Sequence, residues 1–286
     1  MEALYPCLGA IIGDTIGSVY EFANTKRTDF PLFSPDSNYT DDSIMTIAVA
    51  DWLANTDRTQ EALEEKMVSW AKHFPCPMGG YGGGFLRWLF TPEKLADYDE
   101  NGNYKNTENT KRHPYNSWGN GSAMRASACG WAANSIEEAL DLGKRSAEIT
   151  HNHPEGIKGA QAVAVAINMA RKGESKEAIR EYIERTFDYD LHHTCEEIRP
   201  SYHWEASCQG TVPQAIIAFI DSHDFEDAIR LAVSLGGDSD TLACITGGIA
   251  QAYYKEIPES ILSEMRSRLP QAFWDVMEKM EEKVTI

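Results

Sequence analysis

Apolar residues recur at helical spacing along most of the chain, and nowhere do they alternate for long enough to read as a strand. In residues 7–22 an apolar run carries Gly9, Gly13 and Gly17 at every fourth position, so a helix here presents one face without side chains, open to a neighbouring backbone. Residues 43–53 (Ile44, Ile47, Ala48) and 59–73 (Leu63, Met67, Trp70) predict an antiparallel helix pair. Residues 136–149 are amphipathic, 157–171 are apolar nearly all round and belong at the centre, and 176–187 form an outer helix. Three further helices, 212–220, 225–235 and 242–254, follow in succession, and two more close the chain. With no repeat and no interdomain linker, the pattern predicts one all-α domain over residues 1–286.

The polar stretches between these runs carry the candidate chemistry. Thr40, Asp41 and Asp42 lie at the mouth of one apolar run, within Asn38-Tyr-Thr-Asp-Asp42. Asp238, Asp240 and Thr241 lie at the mouth of another, within Gly236-Gly-Asp-Ser-Asp-Thr241. Taken singly, such residues are N-caps that satisfy free amides at a positive helix end. Adjacent aspartates repel unless something neutralises them, and two stretches of this kind point to a metal. Carboxylate and hydroxyl donors suit magnesium, calcium or manganese better than zinc or copper. Four aspartates exceed the needs of one divalent ion, so two ions are expected. Glu21 ends the first helix and opens the polar loop that leads back to Thr40; it either stands over the metals or is solvated.

Other stretches are weaker signals. The glycine-rich segment 75–84 either brings amides to a ligand or simply connects, and Tyr81 and Gly82 are its candidate substrate contacts. Residues 97–116 form a long polar loop, a length that is usually functional or mobile. It delivers Ser117-Trp-Gly-Asn-Gly-Ser-Ala-Met-Arg125, where Gly119, Asn120, Gly121 and Ser122 precede a helix and suit a phosphate. Trp118 or Tyr115 could stack on a base there, or the segment is a glycine turn with a buried aromatic anchor. His151 and His153 are too few for a zinc site and read as a polar pocket wall. The irregular stretch 188–210, with His192, His193 and His203, reads as a surface crossing.

Composition narrows the classes. A formal net charge of -18 excludes a nucleic-acid groove or an anionic membrane as the main partner, while leaving room for a small phosphorylated ligand. Six cysteines scattered without CxxC pairing read as reduced thiols. No signal peptide or membrane span is read, so a cytoplasmic protein is expected, and the acidic surface favours a soluble monomer.

Five motifs in this order resemble the ADP-ribosylglycohydrolase family, which includes the dinitrogenase-reductase-activating glycohydrolases. They are Gly13-Asp-Thr-Ile-Gly17 with Glu21, Tyr39-Thr-Asp-Asp42, Gly119-Asn-Gly-Ser-Ala-Met-Arg125, Thr150-His-Asn-His-Pro154 and Gly236-Gly-Asp-Ser-Asp-Thr241. The resemblance implies a compact many-helix orthogonal bundle holding two magnesium or manganese ions. It implies release of ADP-ribose from modified proteins or small conjugates, which makes those the expected partners. By position, Thr40, Asp41 and Asp42 become metal ligands from one end and Asp238, Asp240 and Thr241 from the other, with Asp240 bridging. Glu21, together with Asp41 and Asp240, takes the catalytic assignment. Where many bacterial members have a proline after Met-Arg, this chain has Ala128, which bears on the shape of the phosphate loop. An arginine or guanidine linkage ranks first and serine second, with the discriminating contacts expected in loops 22–38 and 97–116. Two other readings stand beside this one, a non-catalytic ADP-ribose binder or structural relative and a metal-dependent nucleotide-diphosphate hydrolase.

Overall fold

The computed structural model describes residues 5–94, 97–98, 104–105 and 110–284. Its first half holds α1 (Leu8–Gly17), a 3₁₀ turn at Ser18–Tyr20, α2 (Asp41–Asn55), α3 (Gln60–His73), α4 (Gly83–Phe90), α5 (Gly121–Met124), α6 (Ser127–Ala132) and α7 (Ile136–Glu148). The second half holds α8 (Pro154–Arg171), α9 (Lys176–Phe187), α10 (Cys195–Ile198), α11 (Cys208–Asp221), α12 (Phe225–Ser234), α13 (Ser239–Tyr254), α14 (Glu259–Arg268) and α15 (Gln271–Glu281). The all-α expectation holds. Strand structure among the described residues is confined to two antiparallel ladders of two-residue strands, β1 (Glu93–Lys94) with β4 (Thr110–Lys111) and β2 (Asp97–Tyr98) with β3 (Tyr104–Lys105). The rest of the predicted 97–116 loop up to residue 109 lies outside the described residues. No described helix is long and apolar enough to cross a membrane.

Helices begin where the chain offers a short oxygen side chain. Thr40, Thr59, Ser135, Ser175, Thr194, Ser207 and Asp224 each accept a hydrogen bond from a first-turn amide. Several helices therefore start earlier than apolar spacing predicts. Thr40 brings Asp41 and Asp42 inside the first turn of α2, and Pro154 at the first position of α8 extends that helix upstream. The Gly-rich segment turns helical at Gly83, because Phe85, Trp88 and Leu89 gain burial on one face of α4.

α8 and α13 are the central helices. Between Gly159 and Ala170 only Gln161 of α8 is more than marginally exposed, and α13 is buried from Ser239 to Ala252. The glycine face of α1 lies directly on α13. Cβ atoms built at Gly9, Gly13 and Gly17 would fall 2.3 Å from Gly247 O, 1.9 Å from Ala243 O and 2.5 Å from Asp240 Cα. Descending partner numbers mean that the two helices run antiparallel, so the end of α1 meets the start of α13. Gln251 closes the far end, accepting from the Gly9 amide at 2.8 Å and donating to Tyr5 O at 3.0 Å. A Gly13→Ala substitution forces these backbones apart, and a loss of about 1–3 kcal/mol in urea unfolding is expected, as for overpacking elsewhere.

Candidate active site

Three chain segments converge where α1 ends and α2 and α13 begin. Asp14, fully buried in α1, accepts from Thr40 N at 2.9 Å, Thr40 Oγ1 at 2.7 Å and Ser43 N at 3.1 Å, and from the Ser43 hydroxyl in a very short bond. These four donors fix the first turn of α2 against α1. On the other side, Gly236 and Gly237 both take positive φ, +73° and +75°, a reversal that costs glycine little and delivers Asp238 to the N-cap of α13. Unlike Thr40, Asp238 makes no capping bond; its carboxylate instead accepts from Asn120 Nδ2 at 2.7 Å.

The result is a cavity of about 460 Å³ whose wall includes Glu21, Asp41, Asp42, Asp238, Asp240 and Thr241. A larger hollow of about 620 Å³ at the start of α12 is lined by His223, Asp227 and Arg230, but those groups pair with one another or with neighbours. The chemistry gathers in the first cavity. Oxygen atoms of Glu21, Asp238 and Asp240 lie within 4.8 Å of one another, and Asp42 Oδ2 is buried with no hydrogen-bond partner.

Burial raises every carboxyl here, and repulsion adds to it for most. Glu21 is pushed up to about 7 by burial and then by Asp238 and Asp14. Asp14 is raised to about 6 by burial, against the pull of its four donors. Asp41, Asp42 and Asp240 are held well above the carboxylate range by burial and by neighbouring aspartates, and Asp238 is raised by burial. Arg125, the one arginine or lysine on the wall among the described residues, spends Nη2 on Ser146 O at 2.8 Å and Thr150 Oγ1 at 2.7 Å, while its Nε and Nη1 are buried without a hydrogen-bond partner. An array of hard oxygen donors with an orphaned buried oxygen, and with no ion pair to a basic side chain among the described residues, fits one or more hard divalent ions.

The opposite wall is built from glycine-rich backbone. Residues 79–84 approach from one side, tied to Thr40 by a β-bridge at Met78, and the 119–121 turn is tied to the 206–208 segment by Asn120 N to Ala206 O at 2.8 Å and Cys208 N to Trp118 O at 2.9 Å. His151 completes it. The Thr150 hydroxyl lies 2.7 Å from His151 Nδ1, and burial holds the imidazole well below its usual range, hence neutral. Its Nε2 faces Gly121, 3.1 Å from where a Cβ would stand.

A sequence profile of the ADP-ribosylglycohydrolase family matches residues 5–285. The chain belongs to that family. It is 28% identical to the ADP-ribosylhydrolase ARH3 of Homo sapiens over 89% of this chain and 86% of the relative. It is 23% identical to the ADP-ribosylarginine hydrolase Tri1 of Pseudomonas putida strain GB-1, over 86% of this chain and 69% of the relative. A solved ADP-ribosylglycohydrolase-related protein complex shares the fold, with a TM-score of 0.70, 24% identity and coverage of 99% of this chain and 97% of the other. Membership and these relatives make the chain a glycohydrolase enzyme acting on ADP-ribosyl groups.

Within this family member, the sequence-derived residues divide. Glu21, Asp41, Asp42, Asp238, Asp240, Thr241, Tyr81, Gly82, Gly119, Asn120, Gly121 and His151 all line the cavity. Thr40, Trp118, Ser122 and His153 stand outside the wall. Thr40 caps α2 and donates to Asp14; Ser122 is buried and donates to Gly156 O at 2.7 Å. His153 caps α8 by accepting from Glu155 N, and Trp118 packs edge-on against it with ring centroids 5.5 Å apart. Two amides expected to face a diphosphate are already used, Gly119 N by Ser117 Oγ at 3.1 Å and Asn120 N by Ala206 O. That leaves Gly121 as the nearer candidate. Sequence reasoning missed Asp14, although a lone charge inside an otherwise apolar helix is a signal that something must satisfy it. It also missed Arg125, Phe22 and Trp204.

Proposed function

We propose that this enzyme hydrolyses the C1″ glycosidic bond of ADP-ribosylated side chains or small conjugates with the help of two divalent cations, arginine or guanidine linkages first and serine linkages second, and that it does so as a monomer. One observation supports this above the others: five carboxylates, Glu21, Asp41, Asp42, Asp238 and Asp240, share one cavity with a glycine-rich backbone wall. Breaking the bond places oxocarbenium-like charge on the ribose, and an anionic wall stabilises that charge as it develops. Asp41, Asp42, Asp238, Asp240 and Thr241 are the residues that would hold the cations, with Asn120 orienting Asp238. Bound there, divalent ions would compensate the crowded carboxylates and supply Lewis acidity toward sugar oxygens.

Glu21 differs from the aspartates in sitting on the loop after α1 and not in the first turn or cap of a helix; like Asp41, it is only partly buried. At about 7, its carboxyl is poised to give or take a proton near neutral pH, the property expected of a general acid or base. Gly121 and the neutral His151, whose Nδ1 is satisfied by Thr150, would donate to the diphosphate. A donor that stays uncharged leaves phosphate recognition insensitive to mild acid.

The test is release of free ADP-ribose from matched arginine- and serine-linked conjugates, with magnesium, with manganese and after chelation. Intact ADP-ribose from the arginine conjugate, lost on chelation and restored by magnesium or manganese, is expected. Formation of AMP and ribose phosphate instead would favour a diphosphate hydrolase. Tight ADP-ribose binding with no turnover of any conjugate would leave a binding protein.

A further inference from the structure

The loop that carries Glu21 also carries an aromatic ring with no place in the core. Phe22 is 75% exposed, and Trp204, 51% exposed, stacks on it with ring centroids 5.8 Å apart and planes 17° from parallel. Both side chains line the same cavity as the carboxylates. Exposed aromatic surface of this size is costly to leave in water and marks a contact site when it borders a cleft.

Neither ring sits on a loose strand of chain. Asn24 accepts from the Gly237 amide at 2.8 Å and donates to Gly237 O at 2.9 Å and Glu21 O at 3.0 Å, which ties the Phe22 turn to the loop bearing Asp238. Lys26 reaches Tyr202 O at 2.8 Å and, in a very short bond, Leu235 O. On the Trp204 side, Glu205 accepts from Ser207 N at 2.8 Å, and Ala206 O holds Asn120 N. The two rings are therefore presented by anchored backbone and need little ordering when a ligand arrives.

We propose that Phe22 and Trp204 form an aromatic wall for the leaving group, and that the wall selects a planar cation of the guanidinium class. This rests on the hydrolase reading of the cavity and names the residues that would give it the arginine or guanidine preference ranked first there. Three features carry it. Phe22 adjoins Glu21 in sequence and both rings share its cavity, so the wall borders the place where the leaving group departs. A guanidinium is flat, weakly hydrated and attracted to aromatic faces, whereas a serine hydroxyl gains nothing comparable from such a surface. The whole chain carries a net charge of -18, which draws a cation toward the mouth.

The experiment compares the parent enzyme with Phe22→Ala, Trp204→Ala and Trp204→Phe on matched arginine- and serine-linked conjugates, alongside calorimetric titration with ADP-ribose. Both positions are exposed, so the alanine variants are expected to fold, with unchanged thermal unfolding. For the arginine conjugate, kcat/KM should fall about 3- to 30-fold in each alanine variant and recover largely in Trp204→Phe. Serine-linked turnover and ADP-ribose affinity should stay within twofold of the parent.

Equal losses on both conjugates, no loss on either, or a parent that cleaves only the serine linkage would overturn the wall while the hydrolase reading stands. A fall in ADP-ribose affinity would assign the rings to the product half and overturn it likewise. A parent that frees ADP-ribose from neither conjugate would remove the hydrolase reading and the wall together.

Discussion

Glu21→Gln is expected to slow ADP-ribose release by about 10² to 10⁴-fold while ADP-ribose affinity is retained. The substitution keeps the shape of the side chain and its place against the Gly79 backbone, where a Cβ would lie 3.0 Å from Glu21 Oε2. What it removes is the group's capacity to exchange a proton near pH 7. Because that capacity matters only as the bond breaks, the loss should fall on kcat and leave substrate binding intact. Glu21 also stands within 4.8 Å of Asp238 and Asp240, so glutamine withdraws one negative charge from the cluster. Single-turnover rates at saturating magnesium separate the two contributions. A rate that recovers as magnesium is raised would make Glu21 a cation donor, and a rate that stays low at every concentration supports the proton-transfer role. Full turnover at limiting magnesium would remove it from the mechanism.

The second large effect concerns stability and cations. Stripped of divalent ions, the protein is expected to lose stability as pH rises toward neutrality. Asp14 at about 6, Glu21 at about 7, and Asp41, Asp42 and Asp240 well above their usual range all hold protons that the unfolded chain gives up near pH 4. Carboxyls raised in this way contribute stability that is fully present below the unfolded values and is lost as pH climbs through the folded ones. His151 acts with the opposite sign. Burial keeps it neutral, so its contribution is present above about 6.5 and is lost as pH falls, but it is one group against several.

Magnesium should reverse the trend at neutral pH. Occupancy at 100 to 1,000 times the dissociation constant adds about 2.7–4.1 kcal/mol per site, enough to raise Tm by about 5–15 °C in a chain of this size. At pH 5 the gain should shrink, because protons compete for the same oxygens. Thermal unfolding from pH 5 to 8.5, with chelator and with magnesium, measures both slopes. A metal-free Tm that does not fall with pH, together with no response to magnesium, would exclude the cluster as a cation site.

Much of this site could be read from local chemistry. Paired aspartates at two helix mouths announced themselves because both the repulsion and the helix ends are local features. The face formed by Gly9, Gly13 and Gly17 likewise announced a close backbone approach, and α13 occupies it. What stayed hidden depended on partners distant in sequence. Asn120 read as a phosphate contact, yet its amide serves Asp238, 118 positions away. His153 and Thr40 carry the right atoms but use them as caps, a choice set by where a helix happens to begin. Phe22 and Trp204 are ordinary in their own stretches, and their rings meet because Asn24 ties one loop to Gly237 while Lys26 and Asn120 hold the other.

The contact between α1 and α13 also governs when this site can exist. Gly9 and Gln251, which hydrogen-bond across it, are separated by 242 positions. On a ribosome adding roughly 5–20 residues per second, the second helix follows the first by roughly 12–48 s. Throughout that interval α1, all ten of whose residues are buried in the finished protein, has no surface on which to lay its bare glycine face. The nascent chain therefore carries that apolar helix uncovered until α13 emerges, and the carboxylate cluster is incomplete until Asp238 and Asp240 arrive beside Glu21.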